Sequence, residues 1–368
     1  MSFSRAVHCF ATCVAFVAIP ASAARISVTM SRAFFNPTIG ESLRLQIVVP
    51  YRGRLTALVL DRDGIPIRTL IEQLVVPGTT PVVWDGKDTN GAVVPDEAYS
   101  FKIDLTDSAH HLTYFPAAAP AGPAKGISVT AYDPGTGIIT YRLPVASRVH
   151  IQAGTAIITK GQAEGPVLRT VVDRQPRSAG AIIDQWNGLD QSGTISVPGQ
   201  PHFVMAIAAS ALPENAVITV GNRSTTFLDY VLHRGGTSLV AQSAAHAHHM
   251  GLQTLDDIAP ALQATPRNAT WSTTQHAWML DPTAATLQVH VELQGPNASR
   301  FATETQSVLV FLDGKRVDTK IAHDPRLELR VPIESQGAHI LAVNWVGTNG
   351  PVAVNALRLF TSPQVAAR

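Results

Sequence analysis

Hydrophobic and polar residues alternate along several segments of the chain. Aliphatic side chains occupy every second position from Leu43 to Val49, within SLRLQIVVP, and the segment YSFKIDL alternates in the same way from Tyr99 to Leu105. A period of two residues is typical of a β-strand with one face on a core and the other in water. Turn-forming clusters such as DRDG, VPGTT and WDGKDTNG separate these segments. Short alternating segments between such turns predict an antiparallel β-sandwich.

The pattern of the first region is repeated after residue 126. GIITYRLP corresponds to LRLQIVVP, GPVLRTVVD to GIPIRTLIE, and DQWNGLDQSG to VVWDGKDTNG. Pro50 and Pro144 are 94 positions apart, whereas Trp84 and Trp186 are 102 apart, so an insertion between these points accounts for the change of offset. We therefore predict two like domains related by internal duplication. The structural residues that the two copies share are Trp84, Gly86 and Gly91 in the first and Trp186, Gly188 and Gly193 in the second.

The segment WDGKDTNG, residues 84–91, has the oxygen-rich composition of a calcium loop. A calcium site needs several hard oxygen ligands, commonly from several carboxylates. This segment lacks the alternating Asp pattern and the late Glu of such loops, and its copy has Asn187 in place of Asp85. We predict a turn instead, in which Asp85 or Asn187 bonds to the backbone and the glycines adopt positive φ. The tryptophan before each turn is predicted to fill the core of its sandwich.

The order of these motifs resembles the Ig-like domain of the flagellar hook-capping protein family. The resemblance is carried by LDRDGIPIRTL and WDGKDTNGAVVPDEAYSF in the first copy and by the degenerate WNGLDQSGTISVP in the second. It covers residues 27–107 and 127–220. The family resemblance implies a β-sandwich used for assembly or surface display, with no catalytic residues to carry over.

The first 23 residues have the layout of a secretory signal peptide. Arg5 precedes an apolar stretch, and Ala-Ser-Ala at 21–23 forms a small-x-small cleavage site. Both cysteines, Cys9 and Cys13, lie inside this segment. The mature chain is then expected to lack cysteine, which excludes disulfides and thiolate metal sites. We expect a periplasmic or secreted protein with no membrane span in the mature chain.

Charge and motif content narrow the functional classes. The chain has 28 Lys and Arg against 27 Asp and Glu, and removal of Arg5 with the signal peptide makes these numbers equal. A neutral chain without a basic patch is not expected to bind nucleic acid. The sequence contains no GxSxG, HExxH, P-loop or GxGxxG motif. We therefore predict that the protein is not an enzyme.

A third strand-rich region follows the duplication. TLQVHVEL alternates from Leu287 to Leu293, and SVLVFLDGKRV predicts a hairpin with Asp313 and Gly314 at its turn. The predicted fold class is all-β, with three consecutive antiparallel β-sandwich (Ig-like) domains after a signal peptide. The predicted segments are a signal peptide at 1–23, a sandwich at 24–107, a Pro/Ala/Gly linker at 108–126, a second sandwich at 127–223 and a third sandwich at 224–368 with a histidine-rich insertion.

The histidine-rich insertion, between residues 238 and 280, interrupts the β pattern, and long irregular insertions are often functional. Without cysteine, a transition-metal site here must use His, Met and carboxylate ligands. Imidazole with thioether suits copper, and imidazole alone suits copper, zinc or nickel. A structural or partner-facing loop is the alternative, and no other cofactor is expected. The candidate ligands are His246, His248, His249 and His276, with Met250 and Met279 as soft ligands.

These observations predict an exported, non-enzymatic scaffold or binding subunit that mediates protein assembly at the cell envelope or outside the cell. Its expected partners are other envelope or extracellular proteins. One alternative is a copper or zinc protein, or a metal-dependent enzyme, that uses the loop 246–279. Another is a carbohydrate-binding module, in which Trp271, Trp278 or Trp345 is the stacking platform.

Overall fold

The computed structural model consists almost wholly of β-strands, so the predicted all-β fold class is confirmed. Strand pairing is antiparallel apart from two short parallel pairs described below. No helix in the described part of the chain is long and apolar enough to cross a membrane. The structure describes residues 24–118, 124–159, 162–233, 261–281, 284–295, 298, 306–347 and 350–361. The predicted signal peptide, 1–23, therefore lies outside the described residues.

The first unit is a sandwich of two sheets. Its strands are β1 (Ser27–Met30), β2 (Phe34–Phe35), β3 (Leu43–Val49), β4 (Gly53–Leu60), β5 (Pro66–Val75), β6 (Gly78–Trp84), β7 (Ala98–Thr106) and β8 (His111–Tyr114). One sheet has the order β1-β3-β6, and the other contains β5-β4-β7 with β8 also paired to β7. Strand β3 buries every second residue, as its alternating sequence predicts. The 3₁₀ turns Pro37–Ile39 and Pro116–Ala118 complete the unit.

The second unit repeats this arrangement. Its strands are β9 (Lys125–Ile127), β10 (Val129–Asp133), β11 (Ile138–Leu143), β12 (Ser147–Thr155), β13 (Ile157–Thr159), β14 (Gln162–Glu164), β15 (Val167–Arg177), β16 (Gly180–Gln185) and β17 (Phe203–Ala211). The two sheets have the orders β10-β11-β16 and β15-β12-β17-β9. Strands β13 and β14 form a separate hairpin at the position of the predicted insertion.

The two units have the same strand register under the offsets read from the sequence. Val49 on β3 pairs with Gly78 on β6, and Leu143 on β11 pairs with Gly180 on β16. The β3 to β11 offset is 94 and the β6 to β16 offset is 102, which are the values that separate the two prolines and the two tryptophans. The pairing of β4 with β5 is repeated by β12 with β15 in the same way. The two sandwiches are therefore structural duplicates.

The third unit is also a two-sheet sandwich. Its strands are β19 (Ala261–Pro266), β20 (Ala269–Ser272), β21 (Ala277–Leu280), β22 (Thr286–Gln294), β23 (Gln306–Leu312), β24 (Lys315–Ala322), β25 (Arg326–Pro332), β26 (Gly337–Gly347) and β27 (Gly350–Thr361). The sheets have the orders β19-β22-β25 and β20-β21-β27-β26-β23-β24, and β21 runs parallel to β27. The hairpin of β23 and β24 turns through Asp313 and Gly314, whose φ angles of 51° and 80° suit a two-residue hairpin turn.

Two segments of the chain belong to different units from those that the sequence predicts. Residues 108–126 were expected to be a linker, but His111–Tyr114 and Lys125–Ile127 are strands of the first and second units. A further strand, β18 (Val217–Thr219), follows the second unit but pairs with β7 and runs parallel to β2 of the first unit. The α-helix α1 (Phe227–His233) also contacts the first unit, through residues described below. The chain thus returns to the first sandwich before it enters the third.

Candidate functional site

The repeated turn after each core tryptophan is organised by a buried aspartate. Asp88 Oδ1 accepts hydrogen bonds of 2.9 Å from the backbone N–H groups of Asn90 and Ala92. In the second copy Asp190 Oδ1 accepts bonds of 2.8 Å from Thr194 and Ile195. Both aspartates are buried. Because each carboxylate satisfies backbone donors inside the turn, it stabilises the loop without any ion.

The tryptophan of each copy is tied to the same turn. The Trp84 indole Nε1 donates to the carbonyl of Lys87 at 3.0 Å, and Trp186 Nε1 donates to Leu189 at 2.8 Å. Trp84 is 0% exposed and Trp186 is 4% exposed. The indole ring therefore fills the core while its polar N–H fixes the loop above it, which is the usual way to bury a tryptophan.

The first residue of each turn forms the local bond expected from the sequence. Asp85 Oδ1 accepts from the Lys87 backbone N–H at 3.1 Å, and Asn187 Oδ1 accepts from Leu189 at 3.1 Å. Aspartate and asparagine are interchangeable here because only the side-chain oxygen is used. The glycine that follows, Gly86, has φ of 73°, and a Cβ there would lie 2.4 Å from the Cβ of Pro37. Glycine at this position is thus required both by conformation and by space.

Helix α1 closes over the first copy of the turn. The Tyr230 hydroxyl donates to Asp88 Oδ2 at 3.1 Å. Thr226 begins the helix, with its hydroxyl accepting from the Asp229 backbone N–H at 3.1 Å. The Phe227 ring lies 4.4 Å from the guanidinium carbon of Arg62. These contacts attach the segment after β18 to the first unit and use the second oxygen of Asp88.

The junction between the first and second units is a buried charged contact. Arg148 Nη2 donates to Glu97 Oε1 at 2.7 Å, and their side chains are 1% and 5% exposed. Arg62 Nη1 lies 3.4 Å from the other oxygen, Glu97 Oε2. Arg148 also donates to the carbonyl of Arg174 at 3.1 Å. Burial alone would raise the pKa of the Glu97 carboxyl, but the charges of Arg148 and Arg62 outweigh it and hold the pKa below its usual range.

The junction between the second and third units is mainly apolar. In the six-stranded sheet of the third unit, the central strands β23, β26 and β27 carry buried residues on both faces. One face, which includes Val310, Leu341 and Val343, forms the core of the third unit. The opposite face contributes to the core of the second unit through Phe311, Ala342 and Ala356. Such a continuous apolar interface opposes the relative domain motion that is otherwise expected.

A polar contact fixes the register of this second junction. Val167 donates its backbone N–H to Asn344 Oδ1 at 2.8 Å, and Asn344 Nδ2 donates to the Val167 carbonyl at 2.7 Å. Asn344 is 1% exposed. The amide side chain therefore satisfies both backbone groups at the start of β15, as a neighbouring strand would. Glu164 and Arg316 add an ion pair of 3.0 Å at the exposed edge.

Of the predicted metal ligands, His246, His248, His249 and Met250 lie outside the described residues. His276 occupies the turn between β20 and β21, with φ of 47°. Within the residues that the structure does describe, no group of three or more His, Cys, Asp and Glu side chains could hold a metal ion. The metal site of the histidine-rich insertion stays a prediction from sequence.

The three candidate stacking tryptophans differ in exposure. Trp345 is fully buried in the third core, so it cannot form a carbohydrate platform. Trp271 is 41% exposed, and Trp278 packs against the core of its unit. The two rings pair across β20 and β21, with centroids 5.6 Å apart and planes inclined at 66°. Because the rings are not coplanar, a flat sugar face could stack on Trp271 alone.

The residues that hold the units together had no local signal in the sequence. Glu97 and Arg148 are separated by 51 positions, and Asn344 and Val167 by 177. The aspartates of the repeated turns could have been found, because Asp88 and Asp190 are both retained at an offset of 102 while Asp85 is replaced by Asn187. Retention of the second aspartate and loss of the first indicates which carboxylate the turn needs.

Comparison of the sequence with known proteins gives a partial match. The chain is 33% identical over 85 residues to the basal-body rod modification protein FlgD of Salmonella typhimurium, and equally to that of Salmonella typhi. The match covers 23% of this chain and only 37% of the length of each relative. No family model matches the sequence.

Solved structures with similar architecture include FlgD from P. aeruginosa, at 17% identity and a TM-score of 0.21 over 29% of this chain and 80% of that one. A structure of a bacterial ice-binding adhesin is 14% identical, with a TM-score of 0.17, and covers 92% of this chain and 96% of that one. Fibronectin(III)-like modules of Clostridium thermocellum CbhA are 8% identical, with a TM-score of 0.21, over 93% and 97%. These TM-scores are low, so the assignment of the fold rests on the strand topology alone. The partial sequence match confirms the predicted resemblance over the 85 matched residues, and the strand topology shows that the chain is built of Ig-like β-sandwiches.

Proposed function

We propose that the protein is an exported, non-enzymatic scaffold that holds three Ig-like sandwiches in a fixed relative arrangement at the cell envelope or outside the cell. The observation that carries this proposal is the construction of the two junctions. Each junction combines buried contact with a specific polar pair, Glu97 with Arg148 in one and Asn344 with Val167 in the other. Domains joined only for tethering do not need such contacts, because short surface linkers suffice.

The contacts of three buried carboxylates also support a scaffold role. The buried carboxylates of Asp88, Asp190 and Glu97 are all engaged by backbone donors or by arginine. Catalytic carboxylates are instead expected to face a cleft with a shifted pKa and room for substrate. Each of these three carboxylates has a structural partner that explains its burial. The partial match to a basal-body rod modification protein also supports an assembly role.

Export and assembly can be tested together in the producing cells. We expect the intact mass of the recovered protein to correspond to a chain beginning at residue 24, and the protein to be recovered from the periplasmic or extracellular fraction. Chemical cross-linking of whole cells, followed by mass spectrometry, should then join exposed lysines of the sandwiches to one reproducible envelope protein. Retention of Met1 in a cytoplasmic protein would exclude export. Absence of cross-links to any envelope protein would exclude assembly there.

A carbohydrate-binding module is the second candidate, and the exposure of Trp271 favours it. A single exposed tryptophan on strand β20 can stack on one pyranose ring. Affinity electrophoresis through gels that contain soluble polysaccharides tests this function. Retardation of the wild type and its loss in Trp271→Ala would support it, whereas equal mobility of the two proteins in every gel would exclude it.

A further inference from the structure

A cavity of about 470 Å³ lies between the second and third units, at one end of their apolar interface. Residues from both units line it, including Leu168 and Ile195 from the second and Ile340 and Arg358 from the third. Its volume falls within the range of roughly 300–1,000 Å³ that is usual for small-molecule sites. We call this space the inter-unit cavity. Because two units form its walls, it exists only while the second junction is intact.

Most of the lining of the inter-unit cavity is apolar. Leu168, Ile195 and Ile340 contribute aliphatic surface, and Pro166 and Pro201 extend it. Hydroxyl groups are provided by Thr155 and other small side chains. A largely apolar concave surface with few polar groups is the usual composition of a ligand site. The body of a ligand that fits here is therefore expected to be apolar.

One cationic side chain in this cavity has no counter-ion among the residues that the structure describes. Arg358 is exposed and lies opposite Ile340 in the antiparallel pair of β27 and β26, so both side chains point from the same face of the sheet. Within the described residues Arg358 forms no salt bridge and no side-chain hydrogen bond. Its five N–H donors are arranged to hold a planar carboxylate through two parallel bonds.

The carboxylate of Asp313 also lines this cavity but is engaged by other groups. Asp313 Oδ2 is 2.7 Å from His339 Nδ1, and Asp313 Oδ1 accepts from the Ile340 backbone N–H at 2.8 Å. Both carboxylate oxygens of Asp313 thus bond to residues of the cavity wall, His339 and Ile340. The negative charge of Asp313 repels an anionic ligand in proportion to the ligand's charge, so a monoanion is repelled less than a phosphate dianion.

We infer that the inter-unit cavity binds a small organic monocarboxylate, with its apolar body against Leu168, Ile195 and Ile340 and its carboxylate on Arg358. This site goes beyond the proposed scaffold function, since the scaffold needs the junction but not a ligand in it. A ligand that contacts both units would also stabilise their junction, because it binds the docked arrangement and not the separated one.

Ligand-observed saturation-transfer NMR on the purified full-length chain tests this inference, with benzoate and hexanoate as probes. We expect both acids to bind at millimolar concentration, and benzamide to bind at least about tenfold more weakly because it lacks the charge. Arg358→Gln should weaken benzoate binding by at least about tenfold, and Arg358→Lys by less, since it keeps the charge but loses the paired geometry. Arg330→Gln is the matched control, because Arg330 is an exposed arginine of the same unit outside the cavity.

Several results would overturn the inference. These are failure of both acids to bind the wild type, equal binding of benzoate and benzamide, or unchanged benzoate affinity in Arg358→Gln. A loss in Arg330→Gln as large as that in Arg358→Gln would show that the effect is only one of overall charge. The benzamide comparison uses the wild type alone, so it decides the question even if a variant melts at a lower temperature.

Discussion

Trp84 shows at the scale of one residue how the sandwich is built. Its ring lies edge-on to Phe35, Tyr99 and Phe101, with centroid distances of 5.5, 5.2 and 6.2 Å. Edge-to-face packing of this kind contributes beyond the area that it buries. Trp186 occupies the same place in the second copy, but there the neighbours are Tyr132 and Phe203 in more nearly parallel orientation. The core tryptophan is thus present in both units, whereas the aromatic rings around it are arranged differently.

Replacement of Trp84 by alanine should therefore destabilise the first unit strongly. We expect a loss of about 3–5 kcal/mol in the free energy of unfolding, the usual effect of deleting a large aromatic side chain from a core. Urea denaturation followed by circular dichroism measures this loss. Trp271→Ala is the control, because Trp271 is 41% exposed and its removal should change stability by less than about 1 kcal/mol. Equal effects of the two substitutions would contradict the packing described for Trp84.

Glu97 carries the pH dependence of the first junction. Its pKa is lowered in the folded protein, so the stabilising contact with Arg148 is fully present above the ordinary pKa of a glutamate. The contribution is lost as the pH falls through the lower folded value. We expect the free energy of unfolding to fall as the pH drops below the ordinary glutamate pKa of about 4.3.

Glu97→Gln should be less stable than the wild type near neutral pH and should show a smaller decrease on acidification, as urea denaturation at several pH values would reveal. Glu72→Gln provides the comparison, because Glu72 forms an exposed 2.7 Å pair with Arg54 that contributes little. An acid profile of Glu97→Gln identical to that of the wild type would show that another group is responsible.

At the scale of elements, the alternating segments were predictable because their pattern is set locally. Strands β3 and β7 and the hairpin of β23 and β24 follow directly from alternation and from an Asp-Gly turn. The short strands β8 and β18 were not predictable. Each has three or four residues; β8 is a strand because it pairs with β7, and β18 because it pairs with β7 and β2, so tertiary contact decides their structure.

The sequence predicts a turn after Trp84, and Gly86 and Gly91 have the positive φ that it implies, but the sequence analysis did not predict the turn's principal carboxylate. The sequence analysis predicts a backbone bond from Asp85, the first residue of the turn. In the structure Asp88 is the more engaged carboxylate, with two backbone bonds and one bond to Tyr230. Asp88 and Tyr230 are 142 positions apart, so no local sequence pattern predicts their contact. Local chemistry thus predicts that a turn forms, and comparison of the two copies points to Asp88, but only the fold shows the bond between Asp88 and Tyr230.

The repeated turns should not respond to calcium. Backbone N–H groups and a hydroxyl point at the oxygens of Asp88, and such donors oppose a cation at the same place. We expect millimolar calcium to leave the melting temperature unchanged. Asp88→Ala should destabilise the protein by about 1–3 kcal/mol for each donor left unsatisfied, more than Asp85→Ala does. A large rise in melting temperature with calcium, abolished in Asp85→Ala, would contradict this interpretation.

For the whole molecule, the number and type of units were predictable, but their attachment was not. Duplication and alternation predict sandwiches because both are repeated short-range patterns. The junctions depend on single contacts such as Glu97 with Arg148, between residues that no local pattern relates. The same holds for the inter-unit cavity, whose walls come from chain segments more than a hundred positions apart. The proposed scaffold function depends on these junctions.

A distance measurement between the first and third units shows whether the three units hold one fixed arrangement. Cys9 and Cys13 both precede residue 24, so a chain starting there can carry spin labels at Thr79→Cys and Lys320→Cys alone; both positions are exposed, on β6 and β24. Pulsed electron paramagnetic resonance then reports the distribution of distances between the first and third units. We expect one narrow distribution in the wild-type background and a broad one when Arg148→Ala is added. A broad distribution without that substitution would show that the units move independently and would contradict the scaffold.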